Sequence, residues 1–302
     1  MNVVAIVVTY NGAQFIDKCF GSIRKSNIPV HIIAIDNAST DGTVEKLKND
    51  YPEVELIVNK KNIGFGRANN IGFRKALEKK AEYVLLLNQD AWIQPDVIKG
   101  LVEIQNKNPE FDILSPVHLS KDNEVDKNFI ISLNQRIISD LILGNQTKQI
   151  YEVDAVHAAF WLMTNKSIET VGGFDPLFFY RGEDNDYIAR CKIKHIKFGI
   201  NLNYFIYHEG EINRSKKHTI DQLIYRKYIE YLVVLKTKYD KKLWRVFRRV
   251  FVQFTGEIVK ALLNLNGQLV YINSAVLLKL LISLPQINKS RTISLSQKKA
   301  FL

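Results

Sequence analysis

The chain has 302 residues, 46% of them hydrophobic, enough to bury one large core and to carry an appendage besides. Its net charge of +11 is unevenly spread: residues 216–302 hold 17 Lys and Arg against 4 Asp and Glu, and residues 1–215 hold 25 against 27. A slightly acidic main part speaks against nucleic acid as a partner, and two cysteines far apart in sequence, Cys19 and Cys191, offer neither a disulfide framework nor a thiolate metal site.

The opening apolar run, Val3 to Val8, shows no charged leader and no small-residue cleavage site, so a reducing, cytoplasmic location is expected. From there, short apolar runs alternate with amphipathic stretches, the pattern of strand-helix-strand units around a parallel sheet. Strands are expected at Val3–Val8, His31–Ile35, Val54–Val58, Tyr83–Leu87 and Ile113–Val117, with helices at Gln14–Arg24, Thr43–Asn49, Gly66–Lys79 and Pro95–Gln105. In such sheets ligands bind beyond the carboxyl ends of the strands. Three polar endings stand there: Thr9-Tyr10-Asn11, the stretch from Asp36 to Gly42, and Asn88-Gln89-Asp90. Asp36 and Asp90 are therefore expected to face one crevice. The loop from Asn62 to Asn70 carries Gly64 and Gly66 ahead of a helix, where backbone amides can approach a phosphate.

Residues 151–207 continue with shorter strands and one helix bearing Glu183, Asp184, Asp186 and Arg190. Three carboxylates in four positions raise the proton affinity of at least one and supply a candidate general base, although a helix N-terminus attracts acids for its own reasons. His208 ends the apolar strand Tyr204–Tyr207, where a neutral imidazole could join Asp90 on a metal; a lone histidine is more often structural. Beyond it, basic helices are expected at Gln222–Lys238, Lys241–Lys260 and Leu269–Leu284. Lys279 interrupts the best apolar run, so the tail is expected to lie on a membrane rather than to cross one, and Asn288–Leu302 is expected to be disordered. Trp244, Phe247 and Phe251, flanked by Arg245, Arg248 and Arg249, suit an anionic membrane face or a homodimer seam; packing against the rest of the chain is the plain competitor.

Taken in order, Val7-Val8-Thr9-Tyr10-Asn11, the segment Ile35 to Thr43, the loop Asn62 to Gly72, Leu87-Asn88-Gln89-Asp90, and Gly172-Gly173-Phe174-Asp175 followed by Phe178, Glu183, Asp184, Asp186 and Arg190 resemble the family 2 glycosyltransferases, rhamnosyltransferase-like bacterial members among them. The resemblance implies a GT-A fold, a Rossmann-like mixed α/β sheet flanked by helices over residues 1–215, followed by a basic helical extension, 216–287, and the polar tail, 288–302. It implies an inverting transfer of a sugar from a UDP- or dTDP-sugar donor to an acceptor hydroxyl on a glycan or lipid-linked glycan, at the inner face of the cell membrane. By the same resemblance, Thr9, Tyr10, Asn11, Asp36, Asn62, Gly64, Asn69 and Gln89 form the nucleotide pocket, with Asp36 accepting from a pyrimidine N–H. Asp90 and His208, the latter followed by Glu209, Gly210 and Ser215, hold Mn²⁺ or Mg²⁺; Asn88 replaces the first acid of the metal motif. Asp184 is the base, Glu183 orients the acceptor or the base, and Arg67 stands where a small residue is expected. A sugar nucleotidyltransferase would need a Gly- and Arg-rich loop after the first strand, which Thr9 to Ala13 does not supply. A non-catalytic nucleotide-sugar-binding or scaffold protein at the membrane is the remaining alternative, opposed by the acidic cluster.

Overall fold

The structure, a computed structural model, describes residues 1–131, 133–144, 149–210, 219–296 and 299–302; the expected boundary at 215 and Ser215 itself lie outside the described residues. The elements run β1 (Val3–Thr9), α1 (Ile16–Arg24), β2 (His31–Asp36), α2 (Thr43–Asp50), β3 (Glu55–Val58), α3 (Phe65–Glu78), β4 (Tyr83–Asn88), β5 (Ala91–Ile93), α4 (Val97–Lys107) and β6 (Ile113–Leu119). They continue with α5 (Lys127–Ile130), α6 (Gln135–Leu143), β7 (Tyr151–Val153), β8 (Phe160–Thr164), α7 (Asn165–Val171), α8 (Glu183–Ile193), β9 (Phe198–His208), α9 (Ile220–Thr237), α10 (Leu243–Leu263) and α11 (Gly267–Ser296).

One mixed sheet holds the strands in the order β3-β2-β1-β4-β8-β6-β9-β5, with β7 also on β9. The first four strands in that order are mutually parallel, and β8 runs antiparallel to both β4 and β6. Helices cover both faces, which is why β1 is apolar at successive positions: Val4, Ile6 and Val8 enter one core layer, and Val3, Ala5 and Val7 the other. The first layer is an aromatic cluster. Phe174 stacks on Phe73 at 5.8 Å between ring centroids and meets Tyr187 at 5.0 Å, while Trp161 stands 5.5 Å from Tyr187, joining α3, β8 and α8. Truncating the fully buried Trp161 to Ala should therefore cost about 3–5 kcal/mol.

Three expectations need correction. The shorter strands expected over residues 151–207 are β7, β8 and β9, but β5, the full eleven-residue length of β9 and a second helix there, α7, directly after β8, were not expected. Of the segment from Asn288, the part through Ser296 is helical, in an α11 continuous across Lys279 and Pro285, and the backbone of Ala300 accepts from Gly173 N–H at 2.8 Å. Its polar residues are what tie it down, because Arg291 donates to the carbonyls of Leu235, Lys238 and Lys241, and Ser290 and Ser294 are buried. Finally, α11 is long and apolar enough, by length and composition, to cross a membrane, since one lysine does not break a thirty-residue helix. Here it packs on α9 and α10, which share a core of Leu232, Leu235, Val250, Phe254, Val276 and Leu280 with Phe178 from the loop before α8.

Candidate active site

The carboxyl ends of β1, β2 and β4 lie side by side, and their loops are stitched together. Asp36 accepts from Thr9 Oγ1 at 2.9 Å, from Ser39 N–H at 2.8 Å and from the Ser39 hydroxyl. Asn11, in the left-handed region at φ 45°, receives Thr40 N–H on its amide oxygen at 2.9 Å and donates its own N–H to Ser39 Oγ at 2.9 Å. The Gln89 amide pairs with both backbone groups of Tyr10, at 2.9 and 3.1 Å, binding the end of β4 to the end of β1. Thr9, Tyr10, Asn11, Asp36 and Gln89 thus converge as expected, with Tyr10 half-exposed. Asp36 is fully buried, with two of these hydrogen bonds on Oδ2 and one on Oδ1, which leaves Oδ1 a further acceptor position.

The start of α3 adjoins this cluster through Asn37, whose amide donates to the Gly64 carbonyl at 3.4 Å. Gly64 lies at φ +89°, and a side chain there would strike the Phe179 carbonyl, so glycine is required twice over. Asn62 Oδ1 accepts from Gly64 N–H at 2.9 Å, and Asn69 donates back to the Phe65 carbonyl at 3.1 Å. No side chain caps α3, which leaves the N–H groups of its first turn and its positive dipole end available to an anion. Arg67 reaches away to the Pro176 carbonyl at 2.9 Å.

On the other side of Gln89, Asp90 faces the end of β9. Antiparallel pairing sets Ala91 opposite His208, and His208 Nε2 stands 3.4 Å from Asp90 Oδ1. Its Nδ1 is 3.7 Å from Asp126 Oδ2. Burial alone would depress the imidazole, but hydrogen bonding and attraction to Asp126 and Asp90 prevail and carry it up to about 9. Asp90, whose burial works the other way, is held below the ordinary carboxylate value by His208. The Asn88 side chain lies 3.5 Å from His208 Nε2, and its buried Oδ1 has no hydrogen-bond partner. Asp90, His208 once it gives up its proton, and the Asn88 amide would suit a hard divalent cation. Among the described residues no three His, Cys, Asp or Glu side chains cluster to hold a cation unaided.

The acidic cluster does not stay together. Gly182, at φ +85°, turns the chain into α8, where Glu183 packs its stem against Gly66 of α3. Glu183 is buried with Oε2 unpartnered, and burial, with the nearby Asp184 charge, drives its carboxyl up to about 7. Asp184 is partly exposed, its Oδ1 accepting from Asn185 N–H at 2.8 Å. Asp186 points inward, fully buried, to Arg190 Nε at 2.8 Å and Lys236 Nζ at 2.8 Å. It is a structural ion pair and not a third candidate base.

Sequence reasoning passed over Asp126 and the Lys236 latch. Asp126 sits between strand and helix, where no pattern marks it, and Lys236 lies 50 residues from its partner. Asn88, which replaces the first acid of the metal motif, turns its amide nitrogen toward His208 and carries a buried Oδ1 without a hydrogen-bond partner.

The family model described as Glycosyl transferase family 2 matches residues 4–171. The dTDP-rhamnosyl transferase RfbF of Shigella flexneri is 26% identical over 192 residues, 63% of this chain and 63% of that protein. The N-acetylglucosaminyl-diphospho-decaprenol L-rhamnosyltransferase of Mycobacterium tuberculosis is 26% identical over 219 residues, 60% of this chain and 67% of that protein. The chain thus matches about two thirds or less of the length of these relatives. Among solved structures, the mannosyltransferase PcManGT from Pyrobaculum calidifontis, in complex with GDP-Man and Mn²⁺, aligns over 98% of this chain and 81% of its own with TM-score 0.55 at 19% identity. The likeness therefore extends over the helical tail.

Proposed function

Because the chain belongs to glycosyl transferase family 2, we propose that it transfers a sugar, with inversion, from a UDP- or dTDP-sugar to a hydroxyl of a lipid-linked glycan. The observation that carries this reading is the meeting of the β1, β2 and β4 loops beside the Asp90–His208 pair. The names of the two relatives support a deoxythymidine donor and a lipid diphosphate acceptor.

In this reading Thr9, Tyr10, Asn11, Asp36 and Gln89 line the nucleoside pocket, with Asp36 accepting from a pyrimidine N–H. Asn62, Gly64 and Asn69 shape the start of α3, whose amides receive the diphosphate. When bound, a divalent cation, Mn²⁺ or Mg²⁺, held by Asp90, His208 and the Asn88 oxygen, supplies charge stabilisation to the diphosphate leaving group. Asp184, reachable from solvent, takes the acceptor hydroxyl proton as that oxygen bonds to the anomeric carbon and the bond to the diphosphate breaks. Glu183, protonated near neutrality, donates a hydrogen bond that orients the acceptor or Asp184. The chain works peripherally at the inner face of the membrane.

The test is turnover of UDP- and dTDP-sugars by purified protein with a lipid diphosphate acceptor. Asp184→Asn should lose about 10²–10⁴-fold in rate while keeping donor-induced thermal stabilisation. Full activity in that variant removes Asp184 from the base role; donor binding without any turnover by the wild type returns the scaffold alternative.

A further inference from the structure

Helix α10 has two apolar faces, and the fold uses one. Val246, Val250, Phe254 and Ala261, spaced at helical intervals, turn inward to α9 and α11. On the opposite side Trp244, Phe251, Val252, Val259, Leu262 and Leu263 form a second stripe along the whole helix, with fractional exposures from 41% at Phe251 to 79% at Leu263. Arg245, Arg248 and Arg249 flank its beginning, with Arg245 and Arg248 5.5 and 5.8 Å from the Trp244 ring. The one acid of the helix, Glu257, is turned away and engaged by Lys227 and Gln253. The stripe runs on into the turn, where Leu265 is 94% exposed, and α11 behind it contains no acidic residue.

A soluble face of this size normally carries charges of both signs. This one carries large aliphatic and aromatic side chains, positive charge and no negative charge, the composition of a helix that lies within a headgroup layer. Beside Trp244, Lys241, Lys242, Phe247 and Leu284, with Asp240 at its edge, line a cavity of ≈ 740 Å³. We infer that α10 is an in-plane membrane helix whose Trp244–Leu263 stripe enters the leaflet surface, with Arg245, Arg248 and Arg249 on anionic headgroups. This deepens the proposed function, on which it rests for its purpose: the helix core shared with Phe178, four residues before Gly182, ties the docked face to the helix bearing Asp184.

The experiment is sedimentation of the full chain with phosphatidylcholine vesicles, alone and with about a third phosphatidylglycerol. Binding should require the anionic lipid. The doubly substituted Leu263→Asp, Leu265→Asp protein should bind about a hundredfold more weakly, and Arg245→Gln, Arg248→Gln, Arg249→Gln should lose about as much on anionic vesicles alone. Both variants alter exposed positions, and unchanged melting temperature and dTDP-induced stabilisation will show that fold and donor site are intact, so lost vesicle binding speaks about the tail alone. Absence of vesicle binding by the wild type, equal binding by the Leu variant, or a wild-type dimer that the Leu substitutions split into monomers would each overturn the inference.

Discussion

Three residues apart on α8, Glu183 and Asp186 are both buried and behave as opposites. Glu183 has an oxygen without a partner and its carboxyl is pushed up to about 7, whereas Asp186 lies between Arg190 and Lys236 and is held below the ordinary carboxylate value despite equal or deeper burial. One turn of helix separates a group left poised to gain or lose a proton from a group fixed as an anion. Desolvation is common to both positions, so the cations decide the difference. The lesson is that helix N-terminal acids cannot be assigned roles by crowding; what lies across from each one decides.

The comparison can be broken most forcefully at its structured end. Lys236 is wholly buried, reaching Asp186 at 2.8 Å and Asp175 at 3.2 Å, so Lys236→Met leaves two anions short of a partner. Stability should fall by about 3–5 kcal/mol in urea denaturation; a change under about 1 kcal/mol would mean that Arg190 alone suffices. Next comes the pH dependence that Glu183 should impose. Its folded value of about 7 exceeds the ordinary 4.5, so the folded chain keeps a proton that the unfolded chain has released. Stability contributed this way should therefore decline as pH rises from 4.5 to 7, by on the order of 3 kcal/mol, and level off above. Glu183→Gln should flatten that slope, and an unaltered slope would assign it to another group. The smallest effect concerns the start of α9, where Thr219 and Gln222 form a reciprocal cap. Thr219→Ala should cost about 1 kcal/mol while leaving the Glu183 slope as it was, since the cap lies well before Lys236 on that helix.

How much of this could be read in advance follows from how local each signal is. The strands from Val3 to Asn88 were legible because both faces of the sheet are covered and each strand is therefore an unbroken apolar run. The polar endings of those strands gave the convergence of Thr9, Tyr10, Asn11 and Gln89, since parallel strands place their carboxyl ends together. The antiparallel half was harder to see: Phe160–Thr164 has no turn on its far side, and the three residues of β5 carry too little pattern. Charge partners were least legible, for Asp126 and Lys236 meet His208 and Asp186 through tertiary folding alone. The burial of Asp36 was hidden for a related reason, because the hydroxyls that claim its oxygens look like ordinary loop residues.

The latch on α8 also sets an order of events during synthesis. A ribosome delivers Asp175 and Asp186 well before Lys236, and Ser290, which bonds Asp175, comes 115 residues after it. Until then Asp186 has Arg190 as its cation, while Asp175 lacks both the Lys236 ammonium and the Ser290 hydroxyl. The contacts that brace α8 from the tail are thus complete only once the last helix has been made.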